Sequence, residues 1–431
     1  MKYYSLNNKQ HKTTFQEAVI LGLAPDSGLY FPEKIEPLPT SFFEEIDKLE
    51  NSQIAFEAIK QFIGNEIPEN NLKEIIYQTL SFDFPVVNVE KDIYALELFH
   101  GPTMAFKDVG ARFMSKCLEF FNEDTSKKST VLVATSGDTG GAVASGFYEA
   151  EKINVVILYP KGKISDFQER QLTTLGHNIK AISINGSFDD CQDIVKKAFV
   201  DSDLKHINLT SANSINIARW LPQMFYFFFT YKALKSKNKP IIIACPSGNF
   251  GNICAGVLAK KLGLPISHFV AATNLNDTVP RFMENGVYKP KSTIQTISNA
   301  MDVSNPSNFI RIRELYNDDL NEFQKEFSSY SYSDEETRKA MQFVYTNYNY
   351  MMDPHGAVAY LGLKDELQKQ NGSIGVFLET AHPVKFEETV NETLGISIEF
   401  PENMKSILSK EKTMTLCDNY AEVKAFLMNK I

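Results

Sequence analysis

Short apolar runs rich in β-branched residues recur along the chain, and most are followed by a glycine-containing stretch or by a segment with helical spacing. The clearest runs are 131–134, 153–158, 181–184, 241–245 and 375–379. A parallel strand cannot be joined to its neighbour by a tight hairpin and needs a longer crossover, usually a helix. The alternation therefore predicts an α/β protein with parallel-type sheets.

The length of the chain indicates more than one domain. Its 431 residues exceed what one ordinary hydrophobic core accommodates. The first hundred residues mix turns with stretches of helical spacing, including a helix predicted over 42–63. We predict an N-terminal extension over 1–95 and two doubly wound α/β domains, a smaller one over 96–220 and a larger one over 221–431, with approximate borders.

The net charge and the cysteines of the chain restrict the partners and metal sites that it can have. The formal net charge of -9 argues against nucleic acid or an anionic membrane as the main partner, so an anionic ligand must be bound by a few placed cations and amides. None of the five cysteines forms a Cys-x-x-Cys pair, which predicts reduced thiols and no metal site. The first residues form no apolar signal core, and no apolar run is long enough to span a bilayer. We therefore expect a cytoplasmic protein.

The stretch 246–252, Pro-Ser-Gly-Asn-Phe-Gly-Asn, follows a predicted strand and precedes a predicted helix. Gly248 and Gly251 allow the backbone to approach a ligand closely, and the start of a helix favours an anion. The stretch lacks both the Walker pattern and the dinucleotide pattern Gly-x-Gly-x-x-Gly. A small phosphate monoester fits it better, although a tight turn between strand and helix explains it equally well.

A second loop, 135–141, has the sequence Thr-Ser-Gly-Asp-Thr-Gly-Gly and also follows a predicted strand. Hydroxyls and amides in a turn before a helix suit a carboxylate or phosphate of a substrate. Capping of the helix by Ser136, Asp138 or Thr139 is the alternative explanation.

Lys107 lies in a largely apolar stretch, next to Met104, Ala105, Phe106 and Val109. Such surroundings disfavour an ammonium ion, lower the pKa of the amine and free it for covalent chemistry with a carbonyl compound. Taken by itself, however, a lysine is more commonly a solvated surface residue. We expect His100, His355 and His382 to be loop histidines with ordinary hydrogen-bond partners.

Together these segments resemble the threonine synthases, fold-type-II pyridoxal-phosphate enzymes of the tryptophan-synthase-β superfamily. The resemblance covers essentially the whole chain, from Ser27-Gly28-Leu29-Tyr30 near the start to the segment 380–386. Its most specific segments occur in family order, at 99–108, 134–140, 213–219, 246–252 and 379–383.

The resemblance implies roles for individual residues. It implies that Lys107 carries pyridoxal 5'-phosphate as a Schiff base and that the hydroxyl of Thr380 meets the pyridine nitrogen. Further cofactor contacts are implied at Gly248, Asn249, Phe250, Gly251, Asn252 and Asp138. Substrate contacts are implied at Ser136, Thr139, Asn213, Ser214 and Arg219. The planar fork of an arginine can bind phosphate through two bonds.

The implied reaction converts O-phospho-L-homoserine and water to L-threonine and phosphate by γ-elimination and β-addition, the last step of threonine biosynthesis. A lyase that releases 2-oxobutyrate, a serine/threonine dehydratase and a non-catalytic cofactor-binding homologue are the alternatives. The segment 213–219 and the N-terminal extension favour the synthase over the dehydratase. The sequence leaves open whether the protein is a monomer or a homodimer.

Overall fold

The computed structural model of the protein describes residues 1–123 and 128–431. Its strands are β1 (Tyr3–Ser5), β2 (Lys12–Thr13), β3 (Tyr30–Pro32), β4 (Val86–Glu90), β5 (Ile93–Glu97), β6 (Ser129–Ala134), β7 (Ile153–Pro160), β8 (Ile179–Ile184), β9 (Leu209–Thr210), β10 (Ile241–Pro246), β11 (His268–Thr273), β12 (Phe327–Ser331), β13 (Ile374–Glu379) and β14 (Thr415–Cys417).

Its α-helices are α1 (Phe15–Leu21), α2 (Thr40–Glu45), α3 (Asn51–Ile63), α4 (Glu69–Thr79), α5 (Lys107–Asn122), α6 (Asp138–Gly146), α7 (Asp166–Thr173), α8 (Phe188–Val200), α9 (Ile217–Trp220), α10 (Phe225–Leu234), α11 (Gly251–Lys261), α12 (Thr278–Asn285), α13 (Phe309–Leu315), α14 (Leu320–Glu326), α15 (Asp334–Tyr348), α16 (Pro354–Leu367), α17 (Glu387–Leu394), α18 (Glu402–Leu408) and α19 (Tyr420–Lys430). Within the described ranges, no helix has both the length and the apolar character that a membrane crossing requires.

Contacts divide the chain into two compact units, each built from stretches that are distant in sequence. Unit 1 combines Met1–Pro32, Lys107–Arg219 and Phe400–Ile431, and unit 2 combines Glu33–Phe106 and Trp220–Glu399. Apolar periodicity indicates which segments form strands and helices, whereas it carries no information on which distant segments share a core. The division into three consecutive stretches stays a prediction about domain borders.

Unit 1 contains a five-stranded sheet of order β14-β8-β7-β6-β9, with every neighbouring pair parallel. Its central strands β6, β7 and β8 are buried along almost their whole length, as expected where helices cover both faces. A separate antiparallel sheet of order β2-β1-β3 belongs to the same unit. The core beside the large sheet includes Leu132, Val156, Ile182, Cys191 and Val423.

Unit 2 contains a six-stranded sheet of order β12-β11-β10-β13-β5-β4. Its neighbouring strands run parallel, except that β4 pairs antiparallel with β5 at the edge. Helix α16 packs across β10, β11 and β13. Residues such as Val270, Tyr360, Leu363 and Phe377 form the core there. The predicted α/β fold with parallel-type sheets is confirmed.

The parallel arrangement decides which loops are neighbours within each unit. In unit 2, β5, β13 and β10 lie side by side, so the segments after their carboxyl ends, 98–106, 380–383 and 247–250, emerge at one edge of the sheet. Open α/β sheets place their ligands at this edge. In unit 1, the same rule puts 135–137 beside 211–216, because β6 pairs with β9.

The prediction of one helix over 42–63 is wrong in one respect. The structure has two helices there, α2 and α3, separated by a short 3-10 turn and by Leu49 in an extended conformation. Glu50 and Gln53 form a reciprocal capping box that begins α3. In the sequence, the helical spacing of apolar residues continues through the break between α2 and α3. Only the capping residues indicate that a new helix begins there.

Candidate active site

The loop between β10 and α11 presents a group of backbone donors. Helix α11 begins at Gly251, and Phe250 before it adopts the left-handed conformation with φ of 59°. No backbone amide of 248–252 has a hydrogen-bond acceptor in the described part of the chain. The first amides of a helix lack intrahelical acceptors and carry the positive end of its dipole. The loop therefore suits an anion with several oxygens, such as a phosphate monoester.

Hydrogen bonds to the oxygens of Asn249 anchor this loop. Its carbonyl accepts from the amide of Asn308 at 3.2 Å, and its side-chain oxygen accepts from the amide of Ser307 at 3.3 Å. The side-chain amide of Asn252 donates to the carbonyl of Pro246 at 3.0 Å. These bonds use the acceptors of the loop and leave its amides for a ligand, which favours anion binding over a purely structural turn.

Packing explains why residue 248 is a glycine. A Cβ at Gly248 would lie 2.8 Å from Cα of Met301 and 3.0 Å from the carbonyl oxygen of Ala300. Both are backbone atoms, which cannot rotate away as a flexible side chain does. The segment 300–301 therefore forms a fixed wall behind the loop.

Thr380 follows β13 and is buried. Its carbonyl accepts from the amide of Phe106 at 2.9 Å, and the amide of His382 donates to the carbonyl of Met104 at 3.1 Å. A bridge between Ala105 and Ala381 completes this pairing. The segment that precedes Lys107 in the chain is thus held beside Thr380 within unit 2.

Lys107 is the first residue of α5 and is half-buried. Asp108 and Val109, the next two residues, are buried. The positive end of the helix dipole disfavours a cation at this position, which agrees with an amine that reacts in its neutral form.

The loop after β6 is held by a threonine that the sequence did not single out. The hydroxyl of Thr135 accepts from the amides of Gly137 at 3.0 Å and of Gly140 at 2.8 Å. The Thr135 hydroxyl thereby caps α6, and among the described residues no backbone amide of the helix donates to the hydroxyl of Ser136 or Thr139, both half-buried. This outcome favours a ligand-binding role for those hydroxyls over the capping alternative.

Asp138 in the same loop is buried and accepts from the side-chain amide of Gln168 at 3.0 Å. A Cβ at Gly137 would lie 2.5 Å from that Gln168 nitrogen, and Gly137 has φ of 141°. Gln168 thereby fixes the orientation of Asp138. No local pattern indicated this partner, because Gln168 lies on a separate helix, α7.

Arg219 is buried in unit 1 and faces α5. Its Nη1 donates to the carbonyl of Ala212 at 2.5 Å, and a Cβ at Gly110 would lie 2.6 Å from the Arg219 carbonyl. Burial lowers the pKa of Arg219 to about 10, against the opposing effect of Asp108. The guanidinium therefore remains charged at neutral pH. Asn213 and Ser214, a few residues earlier, are half-buried, and the Asn213 carbonyl accepts from the amide of Asn216 at 3.1 Å.

The three histidines expected in loops differ in their surroundings, and His355 lies in α16 instead of a loop. His355 has partners at both ring nitrogens, Asp353 at 2.6 Å and the amide of Ala300 at 3.2 Å. His100 contacts Glu97 at 2.7 Å. Burial lowers the pKa of His382 to about 4, so its imidazole is neutral at physiological pH. Behind Thr380, Glu379 and Asp353 form a buried pair of carboxyl groups that the sequence did not reveal.

Comparison with family models gives three matches. The model described as pyridoxal-phosphate dependent enzyme matches residues 78–378. The models of the threonine synthase N terminus and of the threonine synthase C-terminal region match residues 2–80 and 356–427.

Individual relatives are similar over nearly the full chain. A threonine synthase of Haemophilus influenzae is 46% identical over 439 residues, which cover 99% of this chain and 100% of that protein. The Escherichia coli threonine synthase is 45% identical over 406 residues, 94% of each chain. The crystal structure of the Escherichia coli enzyme superposes with a TM-score of 0.94 at 43% identity and covers 100% of both chains.

Two further structures widen the comparison. A threonine synthase from Brucella melitensis with bound PLP superposes with a TM-score of 0.94 at 31% identity, covering 99% of this chain and 98% of that one. A threonine deaminase from Solanum lycopersicum gives a TM-score of 0.58 at 13% identity over 84% of this chain and 91% of that one, a likeness of fold alone.

Proposed function

Because the chain belongs to the threonine synthase family of pyridoxal-phosphate-dependent enzymes, we propose that it converts O-phospho-L-homoserine and water to L-threonine and inorganic phosphate. The observation that carries the proposal is the match to threonine synthases along the full chain. The cofactor is pyridoxal 5'-phosphate. The unused amides of 248–252 have the chemistry that its phosphate requires.

Four parts of the chain would hold the cofactor. The amides of 248–252 would bind its phosphate, the amine of Lys107 would attach it covalently, and the hydroxyl of Thr380 would meet the ring nitrogen. Asp138 would contact its edge. A neutral hydroxyl does not favour a protonated ring nitrogen as strongly as a carboxylate would. When bound, the cofactor stabilises the negative charge that develops as the substrate loses a proton.

Lys107 moves the proton at the substrate Cα. Its Nζ, as a neutral amine, removes that proton and later returns one to the same carbon. A proton is also lost from Cβ, which allows the phosphate at Cγ to leave. A proton is then added at Cγ, which becomes the methyl group of the product, and water adds at Cβ. One amine close to Cα thus serves at both the start and the end of the reaction.

The substrate phosphate would be bound by Arg219 with Asn213 and Ser214. A buried guanidinium is attractive to a phosphate because the low local dielectric strengthens a charge-assisted bond. Ser136 and Thr139 supply hydroxyls to the other polar groups of the substrate. We place this activity in the cytoplasm, as the last step of threonine biosynthesis. The free, buried state of the five cysteines is consistent with a reducing compartment.

A single incubation tests the proposal. With O-phospho-L-homoserine we expect equal amounts of threonine and phosphate. Release of phosphate with 2-oxobutyrate and no threonine would indicate a phospho-lyase instead. A protein that retains the cofactor but releases no phosphate would be neither a threonine synthase nor a phospho-lyase. All three products are measured in the same sample, so these outcomes are distinguished directly.

Arg219→Lys tests the assignment of the substrate phosphate. The variant keeps the positive charge and loses the planar fork, so binding of O-phospho-L-homoserine should weaken by about 10- to 100-fold, the effect of losing charge-assisted bonds. Binding of homoserine, which lacks the phosphate, should change far less. The measurement is a titration of both ligands by the change in cofactor absorbance.

The matched control is Arg170→Lys, at an arginine on α7 that pairs with Asp166 at 2.7 Å. It should leave both affinities unchanged. Equal losses for phosphorylated and unphosphorylated ligand in Arg219→Lys would show that Arg219 only supports the backbone at Ala212.

A further inference from the structure

A pair of carboxyl groups is buried directly behind Thr380. Glu379 is the last residue of β13, Asp353 caps the start of α16, and neither side chain is exposed. The amide of Asp353 donates to Glu379 Oε2 at 3.4 Å. Among the described residues, Glu379 Oε1 and Asp353 Oδ2 receive no hydrogen bond from any amide or other side chain.

This pair holds one proton. Two adjacent buried carboxylates repel each other and lose their hydration, so one of them stays neutral. Burial and the charge of Asp353 raise the pKa of Glu379 well above its usual range.

The bonds of His355 place the negative charge on Asp353. The His355 Nε2 accepts from the amide of Ala300 at 3.2 Å, and an amide can only donate. The ring proton therefore sits on Nδ1 and is donated to Asp353 Oδ1 at 2.6 Å. The amide of His355 donates to the same oxygen at 2.6 Å. Asp353 Oδ1 therefore receives two hydrogen bonds from His355.

The three side chains connect both ends of the proposed cofactor site within unit 2. At one end, the carboxyl of Glu379 packs on α16, since a Cβ at Gly356 would lie 1.9 Å from Glu379 Oε1. Thr380 is the next residue after Glu379. At the other end, His355 holds Ala300, whose carbonyl oxygen packs against Gly248.

We infer that Glu379, Asp353 and His355 form a positioning unit that stores one proton and fixes two cofactor contacts, Thr380 directly and the Gly248 loop through Ala300. The inference rests on the proposed roles of Thr380 and of 248–252. None of the three side chains is assigned a contact with the cofactor or the substrate. They act through the residues that they hold.

Other titratable groups surround the pair. The charge of Glu97 on β5 contributes to raising the pKa of Glu379. Glu97 also accepts a hydrogen bond from the hydroxyl of Tyr350 at 3.0 Å. Burial, with the charge of Glu97, raises the pKa of Tyr350 well above its usual range, so that the tyrosine stays neutral. His382 interacts with Asp353 and is neutral at physiological pH. Glu379 is therefore the carboxyl group of this cluster to which we assign the stored proton.

The stored proton makes stability depend on pH in a defined direction. An unfolded glutamate titrates near a pKa of ~4.3. Above that pH the folded protein binds one more proton than the unfolded chain, so stability is complete below that value and is lost as pH rises toward the raised pKa of Glu379. Glu379→Gln, which mimics the neutral acid, should remove this dependence.

The test compares Glu379→Gln with Asp353→Asn in the full-length holoenzyme. Near pH 5 we expect Glu379→Gln to unfold at the same denaturant concentration as the unsubstituted protein and to bind the cofactor equally well. As pH rises, the unfolding constant of the unsubstituted protein should grow relative to that of Glu379→Gln by up to about tenfold per pH unit. A role in packing alone would not produce this divergence.

Asp353→Asn should behave differently, because it removes the charge that receives two bonds from His355. We expect a cofactor dissociation constant raised at least about tenfold, from loss of a charged hydrogen bond at a buried site. If the unfolding constants of Glu379→Gln and the unsubstituted protein depended on pH in the same way, the inference that Glu379 stores a proton would be overturned. A tolerated Asp353→Asn beside a damaging Glu379→Gln would place the proton on Asp353, against the inference.

Thr380→Val separates this inference from the proposed function. The variant lacks the hydroxyl and leaves the carboxyl pair intact, so its unfolding should retain the pH dependence of the unsubstituted protein. Unchanged cofactor absorbance and affinity in Thr380→Val would remove the proposed contact with the ring nitrogen. The assignment of the proton to Glu379 would then still be tested by the pH dependence of Glu379→Gln.

Discussion

Replacing Lys107 with alanine is expected to abolish covalent attachment of the cofactor and to lower formation of threonine by at least about 10³-fold. The proposed lysine both anchors the cofactor and moves the proton at Cα, and loss of a single positioned acid or base costs about 10²- to 10⁴-fold by itself. The visible absorbance of the bound cofactor should disappear or shift. After reduction with borohydride, the unsubstituted protein should carry the cofactor mass on the peptide that contains Lys107.

Lys116→Ala is the matched control for this variant. Lys116 lies on the same helix, α5, is partly exposed and pairs with Glu119 at 2.5 Å. Its replacement should leave both absorbance and turnover unchanged. A cofactor mass found on any other peptide, or an unaltered absorbance in Lys107→Ala, would refute the assignment.

The elements around the phosphate loop were predictable because their signals are local. The apolar run 241–245 became β10, and the glycine-containing stretch after it leads into α11. β-Branched residues in an uninterrupted run mark a strand that is buried on both faces. The glycine at 248 could be noticed from the sequence, whereas its reason, the backbone of Met301 in close contact, required the structure.

The carboxyl pair behind Thr380 was not predictable by the same means. Asp353 before Pro354 has the pattern of an ordinary helix start, and it does cap α16. Glu379 ends a strand and would be expected to face solvent, since glutamate is rarely fully buried. Their contact depends on α16 packing across β13, which joins positions 26 residues apart through tertiary structure.

The grouping of segments into compact units was also beyond local patterns. Residues 400–431 form β14, α18 and α19, and β14 pairs with β8 in unit 1, although a long stretch of unit 2 separates them in sequence. The exposed residues at the start of β14 give a weak strand signal. The strand pairs with β8 at the edge of the sheet. A short window of sequence carries no information on which distant strand forms that edge.

Gly248→Ala should lower cofactor affinity by about 10- to 100-fold. The new Cβ would lie 2.8 Å from Cα of Met301, so either the loop or the segment 300–301 must move. Forcing an added methyl into such a site costs about 1–3 kcal/mol, and each 1.4 kcal/mol corresponds to tenfold in affinity. Because the amides of 248–252 bind the phosphate in the proposed site, the displacement should appear first in cofactor release. Dialysis followed by absorbance measures the fraction of protein that retains the cofactor.

Gly375→Ala distinguishes this effect from general overpacking. Gly375 lies at the start of β13, at the opposite end of the strand from Thr380, and its added Cβ would lie 2.8 Å from the side chains of Leu363 and Leu367. That variant should lower the free energy of unfolding while the folded protein retains the cofactor. Equal cofactor loss in both variants would mean that affinity follows overall stability. Loss confined to Gly248→Ala would assign the phosphate to the amides of the loop, because only there does the backbone itself bind the ligand.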